Sequence, residues 1–113
     1  MNKRETGGCY EEMAAAYLEK EGYHIIERNY YTRQGEIDIV ARDGEYLVFI
    51  EVKYRNNLKK GHPAEAVTYQ KQQKIRKSAR YYMYEHRISE DMPCRFDVVS
   101  ILKEEIQLFK NAF

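Results

Sequence analysis

The stretch Gly35-Glu-Ile-Asp-Ile-Val-Ala-Arg-Asp-Gly-Glu-Tyr-Leu-Val-Phe-Ile-Glu-Val-Lys-Tyr-Arg55 reads as a β-hairpin that carries charge where a hairpin usually carries apolar side chains. Asp43-Gly44, between two runs of β-branched and aromatic residues, predicts a two-residue type I′ turn, which needs φ > 0 at both central positions. That turn sets Arg42 opposite Glu45, Val40 opposite Leu47, Asp38 opposite Phe49 and Glu36 opposite Glu51. Directly opposed residues project to one side. One face then holds Glu36, Asp38, Val40, Leu47, Phe49, Glu51 and Lys53, and the other Ile37, Ile39, Ala41, Val48, Ile50, Val52 and Tyr54. Both faces are apolar near the turn, as in strands covered on both sides. Toward the open end, one face alone turns acidic.

In this register Asp38 and Glu51 are diagonal neighbours, with Cα atoms about 7–8 Å apart, so the two carboxylates can share one divalent cation. Carboxylates this close repel, and such a pair calls for a metal or for raised pKa values. The competing reading is a solvated strand edge whose Glu and Lys form surface pairs of at most about 1 kcal/mol each. Leu47 and Phe49 on the same face speak against simple exposure.

Outward from the hairpin, residues 1–7 read as a polar, disordered tail, followed by a helix from about Cys9 to Glu21. Ala14, Ala15 and Leu18 define its inward stripe, and Glu11 falls on that stripe. A glutamate there is costly unless paired or bound to a metal; equally, an acidic first turn favours the helix dipole. Tyr23–Tyr31 reads as a strand, with His24 on the surface, and Thr32-Arg33-Gln34-Gly35 as the turn into the hairpin. Tyr30, Tyr31 and Arg33 suit stacking on bases or gripping phosphates, or are ordinary strand aromatics. A polar loop at Asn56–Pro63 leads to a second helix, about Ala64–Arg87, with Ile75, Ala79, Tyr82, Met83 and His86 as its apolar stripe. Phe96–Leu102 and Ile106–Phe109 read as two last strands; Asp97 is read as capping a turn.

The net charge of +1 hides a strong asymmetry: residues 52–87 carry 10 basic and 2 acidic side chains, +8, whereas residues 1–51 sum to −5 and 88–113 to −2. Lys71, Lys74, Arg76, Lys77 and Arg80 load the second helix without acidic partners four residues away, unlike a helix stabilised by alternating pairs. With Arg55, Lys59 and Lys60 they form either a phosphate-binding footprint or a plain cationic surface. Composition is that of a globular domain, and 113 residues make one domain. No apolar run is long enough to span a membrane, and no signal-peptide pattern precedes the first helix. Cys9 and Cys94 lie outside any metal or redox spacing. The expected location is therefore the cytoplasm.

Gly35-Glu36-Ile37-Asp38 followed by Phe49-Ile50-Glu51-Val52-Lys53-Tyr54-Arg55 resembles the signature of the PD-(D/E)-x-K nuclease superfamily, with Ile37 in place of the proline. The chain from about Glu11 to Ile101 more closely resembles the UPF0102, or YraN-like, family, itself similar to archaeal Holliday junction resolvases. The resemblance rests on Glu11-Glu-Met-Ala14, Tyr17-Leu18, Gly22-Tyr23, Arg28-Asn29, the hairpin, Gly61-His-Pro-Ala-Glu-Ala-Val67, Lys71, Ala79 and Phe96-Asp-Val-Val99. Tyr10 stands where that family often has glycine. The resemblance implies an α/β, restriction-endonuclease-like fold in the order αβββαββ, with a mixed sheet flanked by helices. It also implies a metal-dependent endonuclease acting on DNA, including branched DNA. Asp38, Glu51 and Glu11 are then the ligands of Mg²⁺ or Mn²⁺, Glu36 completes or tunes that shell, and Lys53 is the catalytic cation. Arg55, Lys59, Lys60, Lys71, Lys74, Lys77 and Arg80 are expected to bind nucleic acid. Resolving a junction would need two sites and hence a homodimer. The alternative is a non-catalytic nucleic-acid-binding module on the same fold; a weaker third is a protein-interaction domain.

Overall fold

The computed structural model describes residues 3–55 and 67–113, the first six as backbone alone; Lys59, Lys60 and most of the Gly61–Val67 motif lie outside the described residues. The elements are α1 (Lys3–Lys20), β1 (His24–Thr32), β2 (Gly35–Asp43), β3 (Tyr46–Arg55), α2 (Tyr69–Glu85), β4 (Cys94–Leu102) and β5 (Glu105–Phe109). They form one five-stranded sheet in the order β1-β2-β3-β4-β5. Every neighbouring pair is antiparallel except β3 and β4, which run parallel. Parallel neighbours need a crossover rather than a hairpin, and α2 lies within it. The expected order αβββαββ and the helix on each face are both present.

Each face buries a helix. Ala14 and Leu18 of α1, fully buried, pack on Ile39, Ala41, Val48, Ile50, Val99 and Ile101. On the other face Ala79 and Tyr82 of α2 meet Tyr30, Ile37, Val40, Leu47 and Phe49, while Ile75 meets Val67 and Val98. Burying a side chain such as Leu18 or Phe49 contributes about 1.5–3 kcal/mol, so the two-sided apolar pattern of the hairpin is what recruits both helices.

The structure corrects the hairpin register. Asp43 pairs with Tyr46 and Val40 with Phe49, so the two-residue loop is Gly44-Glu45 rather than Asp43-Gly44. Gly44 has φ +61° and Glu45 is not left-handed, the pattern of a type II′ turn, where glycine takes the first central position. Asp43 stays in the strand because Arg95 on β4 holds its carboxylate at 2.7 Å. A slip of two residues leaves side-chain parity intact. Parity does break at Asp38. Ile37 packs on the α2 side and Ile39 on the α1 side, opposite a left-handed Asn29 of φ +56° that lies between the Arg28↔Ile39 and Tyr30↔Ile37 pairs. Ile37 therefore does not share a face with Ile39 as expected.

Helix boundaries also differ. α1 begins at Lys3, so residues 3–7 are helical rather than a tail; Gly7 and Gly8 each cost about 1 kcal/mol of helix propensity, a penalty rather than a stop. α2 starts at Tyr69, not near Ala64, because Thr68 takes extended backbone angles and its side chain accepts the Lys71 N–H.

Candidate functional site

The β2–β3 ladder ends at Ile39↔Ile50. Continuing its register puts Asp38 directly opposite Glu51, closer than the diagonal placement read from the sequence. Instead of a backbone carbonyl, the Asp38 carboxylate accepts the Val52 N–H at 2.7 Å, so an acidic side chain closes the ladder and props the strands into a fork. Glu11 and Glu36 join Asp38 there, with one carboxylate oxygen from each lying within 4.8 Å of the others. Glu51, 6% exposed, faces two cations instead: Lys53 Nζ at 3.7 Å and Lys71 Nζ at 3.8 Å.

Three elements bring these groups together. Glu11 reaches the fork from α1, whose first turns are pinned to the end of β3 by Tyr10 stacked on Tyr54, ring centroids 4.0 Å apart. Lys71 arrives on α2, positioned by the Thr68 cap on its own N–H. That helix carries no acidic residue in its first turn, and a cation there is disfavoured by the helix dipole, so Glu51 offsets the placement. Gly35 opens β2 with φ +148°, a backbone conformation that L side chains rarely adopt, which favours glycine at this turn.

Crowding and burial set the charge states. The Asp38 carboxyl is pushed up to about 7, first by burial and then by Glu51 and Glu11, against the opposing Val52 N–H and Lys71. Burial also raises Glu51, with Lys71 and Lys53 holding it down. Glu36 is raised by burial, Asp38 and Glu11. Two lysines alone thus leave the fork short of positive charge. Its donors are carboxylate oxygens, the set that suits a hard divalent cation with room for water or phosphate oxygens.

The remaining candidates divide. Lys74, Lys77 and Arg80 are exposed along α2. Arg76 is not part of that row, because its guanidinium lies over Phe96 at 4.8 Å and Phe113 at 5.6 Å, holding the chain end against the sheet. Arg55, at the end of β3, is half-buried, and its Nε has no hydrogen-bond partner among the described residues. Tyr30 is a core aromatic, 6% exposed and edge-on to Tyr82, whereas Tyr31 is 71% exposed. His24 lies on the surface, and His86 forms the C-cap of α2, its ring stacked on Tyr82.

Asp97 is neither at the fork nor simply a turn cap. Fully buried on β4, it accepts from Tyr23 Oη at 2.7 Å, from Arg95 Nε and Nη2 at 2.9 Å each, and from the Asn111 N–H at 2.9 Å. The Tyr10–Tyr54 stack and this network both escaped the sequence reading. An aromatic directly after the Glu51-x-Lys53 pair was the one local hint of the first; no spacing announced the second.

A five-stranded mixed sheet between two helices, with carboxylates and lysines gathered where its central hairpin forks, defines an α/β protein of restriction-endonuclease-like fold. The chain belongs to the uncharacterised protein family UPF0102, whose family model matches residues 10–101. It is similar to the UPF0102 protein of Lachnoclostridium phytofermentans, with 58% identity over 113 residues, 100% of this chain and 96% of the relative. It is also similar to that of Carboxydothermus hydrogenoformans, with 43% identity over 100% of this chain and 95% of the relative. A UPF0102 protein of Legionella pneumophila is 44% identical over 97% of this chain and 95% of its own length. Among the described residues no helix is long and apolar enough to cross a membrane.

Proposed function

We propose that the protein is a metal-dependent endonuclease that hydrolyses phosphodiester bonds of DNA in the cytoplasm. The observation that carries this reading is the convergence of Glu11, Glu36, Asp38 and Glu51 with Lys53 and Lys71 at one fork. Glu11, Glu36 and Asp38 are the residues that would hold Mg²⁺ or Mn²⁺, with Glu51 across the fork from Asp38. Such an ion supplies Lewis-acid polarisation of the phosphate and a lowered pKa for water. Lys53 donates to the phosphate oxygen on which negative charge develops, where a preorganised cation in a partly dry site is most effective. Lys71 holds Glu51 in place and balances its charge. The exposed row Lys74, Lys77 and Arg80 carries the flanking backbone. A branched substrate with two scissile strands would require two such forks, hence a homodimer, which sedimentation velocity checks.

Single-turnover cleavage of branched, single-stranded and duplex DNA with Mg²⁺ or Mn²⁺ tests the reading. Asp38→Ala and Glu51→Ala should abolish cleavage while leaving DNA binding near wild type. Lys53→Ala should lose about two to three orders of magnitude in rate, the scale for deleting one charge-stabilising donor. Activity surviving in both carboxylate variants, or a wild type inactive on every substrate, overturns it.

A further inference from the structure

Strand β1 is one edge of the sheet, and its side chains divide between the two faces. Tyr30 and Thr32 turn toward α2: the first meets Tyr82 edge-on, and the second has its hydroxyl 2.9 Å from that of Ser78. Alternation along the strand therefore sends Tyr31 to the α1 side. There it pairs directly with Glu36, one of the three clustered carboxylates. Opposed side chains of such a pair begin about 4.5–5.5 Å apart, so the tyrosine stands beside the fork. Its ring belongs to no core cluster and is 71% exposed.

Arg28 lies on the same side. It pairs with Ile39, which is buried under α1, and the left-handed Asn29 takes up the extra residue before the Tyr30↔Ile37 rung. Arg28 Nε and Arg55 Nε are the two buried side-chain nitrogens without a hydrogen-bond partner among the described residues. No ion pair among those residues involves Arg28 either. A half-buried guanidinium with no partner carries a desolvation cost, and a phosphate gripped by its fork of donors offsets that cost. Three residues of β2 separate the Arg28 rung from the Glu36 rung, about 10 Å along the strand. A phosphate on Arg28 is thus a neighbour of the one at the carboxylates.

We infer that Arg28 and Tyr31 form a shelf on the α1 side of the sheet edge that holds the strand next to the bond to be cut. Arg28 takes a backbone phosphate and Tyr31 an unpaired base. An aromatic ring stacks on any base that is free of its partner, whereas a duplex hides its base faces. The substrate class is then nucleic acid with a single-stranded segment over β1, its other arm reaching the α2 row on the opposite face. This rests on the fork being a nuclease site, yet the shelf can be measured without cleavage.

Fluorescence anisotropy tests it, with a labelled single-stranded oligodeoxynucleotide and the fully paired duplex of the same sequence. The protein carries Asp38→Asn and a chelator is present, so no strand is cut. Arg28→Gln should weaken single-strand binding about tenfold and lower the slope of log affinity against log salt by about 0.7, one single-strand phosphate. Arg28→Lys should keep the slope, because the charge and the buried stem remain. Tyr31→Ala should weaken single-strand binding about tenfold with the slope unchanged, and duplex binding by less than about threefold. Tyr31→Phe should restore the loss, because a phenyl ring still stacks. Thermal unfolding checks that each variant is folded; if Arg28→Gln is not, Tyr31→Ala decides alone. An unchanged slope in folded Arg28→Gln, equal losses on duplex and single strand in Tyr31→Ala, or no loss there overturns the shelf. The expected losses in a protein whose wild type is inactive on every substrate keep the shelf and remove the nuclease reading.

Discussion

At the scale of single residues, the fork is a place where the fold carries a cost. Asp38 binds its proton more tightly folded than unfolded, since its folded value is about 7 against an ordinary 3.8. The folded state therefore holds more protons between those values, and stability falls as pH rises from about 4 to about 7, then levels off. Asp38→Asn keeps an oxygen for the Val52 N–H and removes the charge. With a chelator present, the variant should gain stability relative to wild type across pH 4 to 7.5, followed by chemical denaturation; parallel pH profiles would place the strain elsewhere. Adding Mg²⁺ should stabilise the wild type by about 2.7 kcal/mol at a hundred times its dissociation constant, and Asp38→Asn far less. A Mg²⁺ response as large in the variant would move the ion away from the fork.

At the scale of elements, α2 has two tasks that separate by mutation. Its N-terminal turn sets Lys71 over Glu51, and that turn depends on Thr68. Thr68→Ala should cost about 1 kcal/mol of stability, the usual value of an N-cap, and should also lower the cleavage rate, because Lys71 loses its fixed position. A stability loss with an unchanged rate would make Lys71 a bystander. The exposed row further along should act only through charge. Replacing Lys74, Lys77 and Arg80 by Gln should flatten the dependence of log affinity on log salt, by about 0.9 for each duplex phosphate no longer neutralised. An unchanged slope and affinity would mean the footprint lies on another element.

At the scale of the whole molecule, the end of the sheet away from the fork is held by charge inside the protein. Arg95 bridges Asp97 and Asp43 and lies over the Tyr23 and Tyr46 rings, joining β4, the closed end of the β2–β3 hairpin and the residue before β1. Asp97 is fully buried, so Arg95→Ala would strand its charge at a cost of about 3–5 kcal/mol, although Tyr23 and Asn111 still donate to it. Denaturant unfolding should show that loss. A change below about 1 kcal/mol would mean that water or neighbouring donors replace the guanidinium. A satisfied ionic network thus ties the sheet at one end, and the carboxylates at the other end are under-neutralised.

The linear sequence determined the order αβββαββ, because two-sided apolar strands and one-sided helices leave few ways to bury their faces. Local chemistry also marked Asp38, Glu51 and Lys53, since strand parity follows from spacing alone and survives a two-residue slip in register. Ala14, Ala15 and Leu18 placed Glu11 on the buried side of its helix for the same reason. Tertiary structure decided the rest. Whether Asp43 belonged to the turn or the strand depended on Arg95, 52 residues away. Spacing had already set Glu36 on the Asp38 face, but only folding brought Glu11 of α1 within reach of both, and Lys71 reached Glu51 because the Thr68 cap sets where α2 begins. Arg76 was indistinguishable in sequence from its basic neighbours until the Phe96 and Phe113 rings claimed it. Each of these depends on partners brought together by folding, and pairing between distant residues leaves no periodic trace along the chain.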